Sequence, residues 1–274
     1  MRLSGRRQAQ AGAHRHASLG IVGWRRLRSP VRRAGRLSLV LTTVATAPVL
    51  GGCESTQEES ARLERQAKRV TLAQHGLSIA HQSRYVKVVS AAVARDSEGA
   101  AVAVTLRNDS GRALRSVPLA ITVKGADGQT LFENNAAGLE AALTSLASLP
   151  AHGSVTWVDD QVPAGGEPAT ALATVGEAPT LAGQAPQVSV SGLHPIQDPT
   201  NGAGGAGTVT NHSRVSQRNI VVFVVGRSGG RVVAAGRAVL PTLGAGMTLG
   251  FQAFLIGNAH GAQLQASAPA TTFG

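Results

Sequence analysis

Two stretches of this chain punctuate their apolar runs in the same order, and that ordered echo constrains the fold more than any other feature. Ala101–Leu106 leads into Arg107-Asn108-Asp109-Ser110, and Thr208–Thr210 leads into Asn211-His212-Ser213. Leu119–Val123 runs into Gly125-Ala126-Asp127-Gly128, and Ile220–Val225 runs into Gly226-Arg227-Ser228-Gly229. Leu149-Pro150-Ala151-His152-Gly153 and Leu240-Pro241-Thr242-Leu243-Gly244 each precede a further run. The spacing between equivalents shrinks along the chain, and the longer Leu139–Ser148 segment of the first copy accounts for most of the drift. A shared order with differing loop lengths is what a tandem duplication leaves behind. Asn108 is expected to fall near Asn211, and Gly125 near Gly226.

The runs themselves are short, rich in Val, Ile, Leu and Thr, and bounded by Asn, Asp, Ser and Gly. That pattern predicts strands joined by tight turns. Val86–Val93, Thr130–Phe132, Val155–Val158, Ala169–Val175 and Val188–Leu193 add further strands, and Pro179–Pro186 reads as a linker. Leu139–Leu149 is either a short helix or a crossing loop. No strand alternates with a long helix, so a parallel sheet is not expected. The expectation is all-β: two tandem antiparallel β-sandwiches over residues 85–178 and 186–274. Strand, Asn-x-Ser turn, strand, glycine hairpin, strand in this order resembles the small Ig-like modules of bacterial surface lipoproteins, particularly the FxLYD type. The resemblance implies an extracytoplasmic adhesion or assembly module.

The N-terminal part has a different logic. Ten of the 26 Lys and Arg fall in residues 1–52, and no acid does. Leu37–Leu50 is then an apolar run too short to span a bilayer, which takes about 20 residues, but suited to the core of an export signal. It ends in Leu50-Gly51-Gly52-Cys53, which resembles the bacterial lipobox. The resemblance implies cleavage after Gly52 and diacylglycerol on the Cys53 thiol, so residues 1–52 would be lost. Cys53 is the one cysteine of the chain, so no intrachain disulfide can form. Residues 53–84 read as a tether. Within it Glu58–Thr71 has helix formers and the pairs Glu58/Arg62 and Glu64/Lys68, in the favourable order at i,i+4. The protein is expected on the extracytoplasmic face of the cell membrane, held by lipid.

With the leader set aside, sixteen basic groups face fifteen acids. The high overall charge is therefore a property of the leader, and a nucleic-acid partner, which needs clustered Lys and Arg against phosphates, is not expected. The second copy is locally basic, with Arg214, Arg218, Arg227, Arg231 and Arg237 against Asp198 alone. The first copy is acidic. The five Arg are candidate contacts for an anionic envelope polymer or lipid headgroups, or for the acidic first module.

Motifs that would carry chemistry lack their setting. Gly226-Arg227-Ser228-Gly229-Gly230 matches the nucleophile elbow in letters, but a strand follows where a helix is required, so it reads as a hairpin. Gly202–Gly207 matches a dinucleotide fingerprint in letters without opening a helix, and reads as a flexible loop. Asp159-Asp160 reads as a solvated strand end, and Trp157 as a core aromatic. His75, His81, His152, His194, His212 and His260 are scattered, and no metal or cofactor is expected beyond the covalent lipid. The function expected is binding or structural, without catalysis. The alternatives are an envelope assembly factor, or a solute-binding or enzymatic lipoprotein with an unrecognised site.

Overall fold

The computed structural model describes residues 76–274 apart from Glu98, Ala164 and Gln184. The expected export signal and cleavage residues, Cys53 and the helix expected over Glu58–Thr71 lie outside the described residues. What is described is all-β. β1 (Val86–Arg95), β2 (Ala100–Asn108) and β6 (Ser154–Val162) form one antiparallel sheet. β3 (Leu114–Gly125) is the centre of a second. It pairs β5 (Ser145–Leu149) and β4 (Thr130–Glu133) as well as β7 (Pro168–Val175).

The second half of the chain repeats this wiring. β8 (Val188–Asp198), β9 (Gly202–Asn211) and β12 (Thr248–Phe254) correspond to β1, β2 and β6. β10 (Gln217–Ser228) is the counterpart of β3, and pairs β11 (Arg231–Leu243) and β14 (Gln263–Ser267). β13 (Ile256–Gly257) adds a short pairing on the outer side of β11. In the first copy the strand equivalent to β11 is interrupted. Residues 134–144 bulge out between β4 and β5 and carry a four-residue helix, α1 (Ala141–Thr144). Buried Asn134 bridges the gap, donating to the carbonyls of Leu119 and Leu143 and accepting from the N–H of Ile121. Trp157 donates its indole N–H to Ala142 and pins the helix from below.

The duplication is clearest at the Asn-x-Ser turns. Asn108 donates to the carbonyls of Arg112 and Pro150, and accepts from the N–H and hydroxyl of Ser110. Asn211 donates to the carbonyls of Val215 and Gly244, and accepts from the N–H and hydroxyl of Ser213. Both Asn are fully buried. The acceptor Pro150 is therefore matched by Gly244, not by Pro241, so the expected Leu-Pro echo is displaced by three residues. The same spacing that pairs the two Asn pairs Ser116 with Asn219, and both hold the rare positive φ, 47° and 49°. Continued along the strand it sets Val123, not Gly125, against Gly226.

The two copies are not separate beads. β2 and β10 are buried on both faces, which alternation permits only if each has a sheet on either side. Ile220, Val222 and Val224 enter a core with β9 and β12. Val221, Phe223 and Val225 enter the core of the first copy. Four sheets therefore stack in the order β3-centred, β2-centred, β10-centred, β9-centred. The sheet β1-β2-β6 and the sheet centred on β10 are the two inner layers.

Gly202–Gly207, expected as a flexible loop, is strand. Its glycines answer to packing. A Cβ on Gly207 would meet the Ser191 carbonyl oxygen at 2.9 Å and the Phe251 ring at 3.1 Å, and one on Gly205 would meet Val224 at 3.2 Å. The Gly226–Gly230 stretch is the hairpin it reads as. Gly229 and Gly230, with φ of 55° and 79°, join β10 to β11, as a two-residue hairpin turn with both central residues at positive φ demands.

Candidate functional site

The seam between the copies concentrates the charged groups that burial does not exclude. In β6, Asp159 keeps the regular register opposite Val102, and a register shift falls just after it, at Asp160 and Gln161, before Val162 pairs with Ala100. Asp160 is aimed at the second copy, where its Oδ1 accepts from Arg237 Nε at 2.7 Å and its Oδ2 from the Arg237 backbone N–H at 3.2 Å. The Arg237 side chain is only 5% exposed. Its Nη1 is buried without a hydrogen bond, and Glu140 Oε2 at the rim stands 3.7 Å away. Asp159 is buried beside this pair. Burial pushes its carboxyl up to about 6, against the opposing pull of the Gln161 N–H and of Arg237. The expectation of a solvated strand end is corrected for both aspartates, because β6 lies in a layer covered on both faces.

The five candidate arginines divide. Arg237 is committed to Asp160 and is not available to an outside anion. Arg227 is half-buried, bonding Gln265, the Gly230 carbonyl and, at 3.4 Å, the hydroxyl of Thr105 in the first copy. Arg214, Arg218 and Arg231 are exposed. Two of the five, Arg227 and Arg237, thus bond side chains of the first copy, Thr105 and Asp160.

Beside the buried pair lies a cleft of about 530 Å³. Val221, Phe223 and Val239 form its floor, the insertion of the first copy supplies Glu140 and Ala142, and Arg218 stands at the far end. Both positive-φ residues, Ser116 and Asn219, sit on its wall. Its polar and apolar lining is of the kind that orients a ligand. A second, larger groove of about 970 Å³ is lined by Leu181, Pro186 and the start of β8. In it the Ser189 hydroxyl and His212 Nε2 share a hydrogen bond of 2.7 Å. A nucleophile also needs an oriented base and oxyanion donors. Among the described residues no acid is bonded to that imidazole, and both side chains are exposed. No group of three His, Cys, Asp or Glu that could hold a metal occurs among the described residues.

Sequence reasoning missed Asp160, Glu140 and Val239 as parts of one site. A faint signal existed: two carboxylates inside an otherwise apolar strand, and one Arg inside another.

No family model matches the chain, and no curated protein does. Among solved structures it is similar to the exo-chitosanase of Amycolatopsis orientalis. That match has 14% identity over 65% of this chain and 25% of that one, with a TM-score of 0.24. The chain thus spans about a quarter of that enzyme's length, and the likeness carries no argument about activity.

Proposed function

We propose that this chain is a lipid-anchored extracytoplasmic protein of the bacterial envelope, whose two-copy body binds a partner at the seam. The observation that carries the reading is the seam cleft. It has the volume and mixed lining of a binding site, and it needs both copies: floor from β10 and β11, wall from an insertion that the second copy lacks. A duplication that kept its Asn-x-Ser turns while diverging at the seam points to use of the seam. The anchor half of the reading rests on Leu50-Gly51-Gly52-Cys53 closing an apolar run behind a basic stretch. Diacylation suffices for stable attachment, since two chains hold where one binds marginally. No catalytic step is assigned.

Two measurements test this. Labelled lipid should follow the wild-type protein into the membrane fraction, and Cys53→Ser should abolish the label. A photo-crosslinking residue at Ala142, in the cleft wall, should capture an envelope component in intact cells, whereas one at Thr170, on the exposed face of β7, should not. Equal capture from both positions, or unlabelled wild-type protein in the soluble fraction, would overturn the reading.

A further inference from the structure

β11 is an edge strand for half its length. β13 covers its outer side at Ala234 and Ala235, and beyond Ala235 no strand among the described residues pairs with that side. Alternation decides which backbone groups point outward there. The Val233 carbonyl accepts from the Asn258 N–H, and the Arg237 N–H donates to Asp160. Odd-numbered residues of β11 therefore turn N–H and C=O outward, while even-numbered ones bond β10. The open groups are the carbonyls of Arg237, Val239 and Pro241 and the single N–H of Val239. Val239 is 51% exposed.

Each face of this edge carries a hollow. The seam cleft lies on the side facing the first copy. On the other side is a hollow of about 750 Å³, lined by Gly192, His194, Ala206, Thr208, Gly250 and Gln252. Val239 borders both. Strand addition uses this layout: main-chain bonds supply affinity, and hollows on alternate faces select side chains.

We infer that the Arg237–Pro241 edge of β11 binds an extended peptide segment of a partner protein, added antiparallel as a further strand. A second copy of this chain does not fit there. Self-pairing about Val239 sets Arg237 against Pro241 of the other copy. Proline has no N–H and that of Arg237 is held by Asp160, so at each end two carbonyls would be left without a donor. A peptide with free N–H groups at three alternate positions satisfies every open acceptor. Its central residue exchanges two bonds with Val239, and its outer two donate to Arg237 and Pro241.

The charges set direction and sequence. Glu140 stands at the Arg237 end of the edge, and Arg218, cross-strand partner of Thr242, stands at the Pro241 end. An antiparallel peptide thus meets Arg218 first and Glu140 last. It should read acid, any residue, aliphatic, any residue, base, with the aliphatic side chain over Val221 and Phe223.

This inference rests on the chain being a binding module, and not on its anchor. The test uses the full chain in detergent and fluorescein-labelled Asp-Thr-Val-Thr-Lys, capped at its C-terminus, read by fluorescence anisotropy at low salt. Saturable binding is expected. Methylating the central valine nitrogen removes one hydrogen bond and should weaken binding about tenfold. The reversed peptide, Lys-Thr-Val-Thr-Asp, should also bind more weakly, and Arg218→Glu should narrow that difference. No saturable binding, or equal binding of the methylated or reversed peptide, would overturn the inference. A chain that captures a partner through Ala142 yet ignores these peptides would overturn it while leaving the proposed function standing. Loss of both would overturn both.

Discussion

Asn108 and Asn211 each close a turn that no backbone ladder could close, and each does so with both ends of its amide. Their nitrogens hold two carbonyls, and their oxygens hold a serine N–H and hydroxyl. Replacing either by Ala orphans those groups in the interior, where each costs about 1–3 kcal/mol. Asn108→Ala and Asn211→Ala should each lower the urea midpoint, while Asn→Ala at exposed Asn201 should not. The repeated Asn-x-Ser was legible in the sequence as shared punctuation. Its burial was not, because an Asn in a turn is as often solvated. Asp159 is a residue of the opposite kind, a liability. Its carboxyl, raised from 3.8 to about 6 by burial, favours the neutral form. Folding is therefore helped below the unfolded value, and that help is lost as pH rises through about 6. The difference amounts to about 3 kcal/mol. Asp159→Asn keeps an acceptor for the Gln161 N–H and removes the charge. It should match wild type near pH 4 and exceed it in thermal stability at pH 8. Equal pH profiles would show that the carboxyl is not desolvated.

At the scale of elements, strands were legible wherever β-branched residues met turn residues, and illegible where glycine stood for closeness. β2, β3, β6 and β10 follow from their Val, Ile and Leu content. β9 does not, because Gly204, Gly205 and Gly207 read as a loop. They leave room for Ile196, Val224 and Phe251, whose identity depends on which strands meet. Gly207→Val should accordingly destabilise the fold by about 1–3 kcal/mol through overpacking, while Gly261→Ala, in an open turn at positive φ, tests backbone strain without crowding. Comparing their denaturant midpoints separates the two causes. The open edge of β11 was illegible for a related reason. Pro241 is visible in the sequence, but whether a strand lies beside it depends on β13, two residues long.

Among the described residues the two copies stack head to tail. Such a stack leaves two unlike outer sheets, one at each end, and unlike complementary ends risk open-ended assembly. Here the outer face of β8-β9-β12 is hydroxylated: Ser191 pairs with Thr208, and Thr210 with Thr248. The buried middle faces carry Val158, Val221 and Phe223 instead, which is how terminal repeats stay soluble. The composition of each strand hints at this contrast, but not which sheet of each copy becomes an inner layer. The arrangement makes a firm demand on folding. The second copy's Val221, Phe223 and Val225 have no cover without the first copy, so the halves should unfold together. In a protein lacking residues 1–52, Trp157 is the one tryptophan left, since the other is Trp24, so its fluorescence reports the first copy alone, whereas far-ultraviolet circular dichroism reports both. In the protein lacking residues 1–52 the two signals should trace one coincident urea transition, the usual sign of a single cooperative unit. Arg237→Met removes one partner of a buried ion pair and strands Asp160, at a cost of about 3–5 kcal/mol. It should move both signals to lower urea together. Adding Asp160→Leu removes the stranded charge and should restore most of the loss. If Trp157 fluorescence kept its midpoint while the dichroism split into two steps, the copies would be independent domains, and the seam would be a contact rather than a shared core.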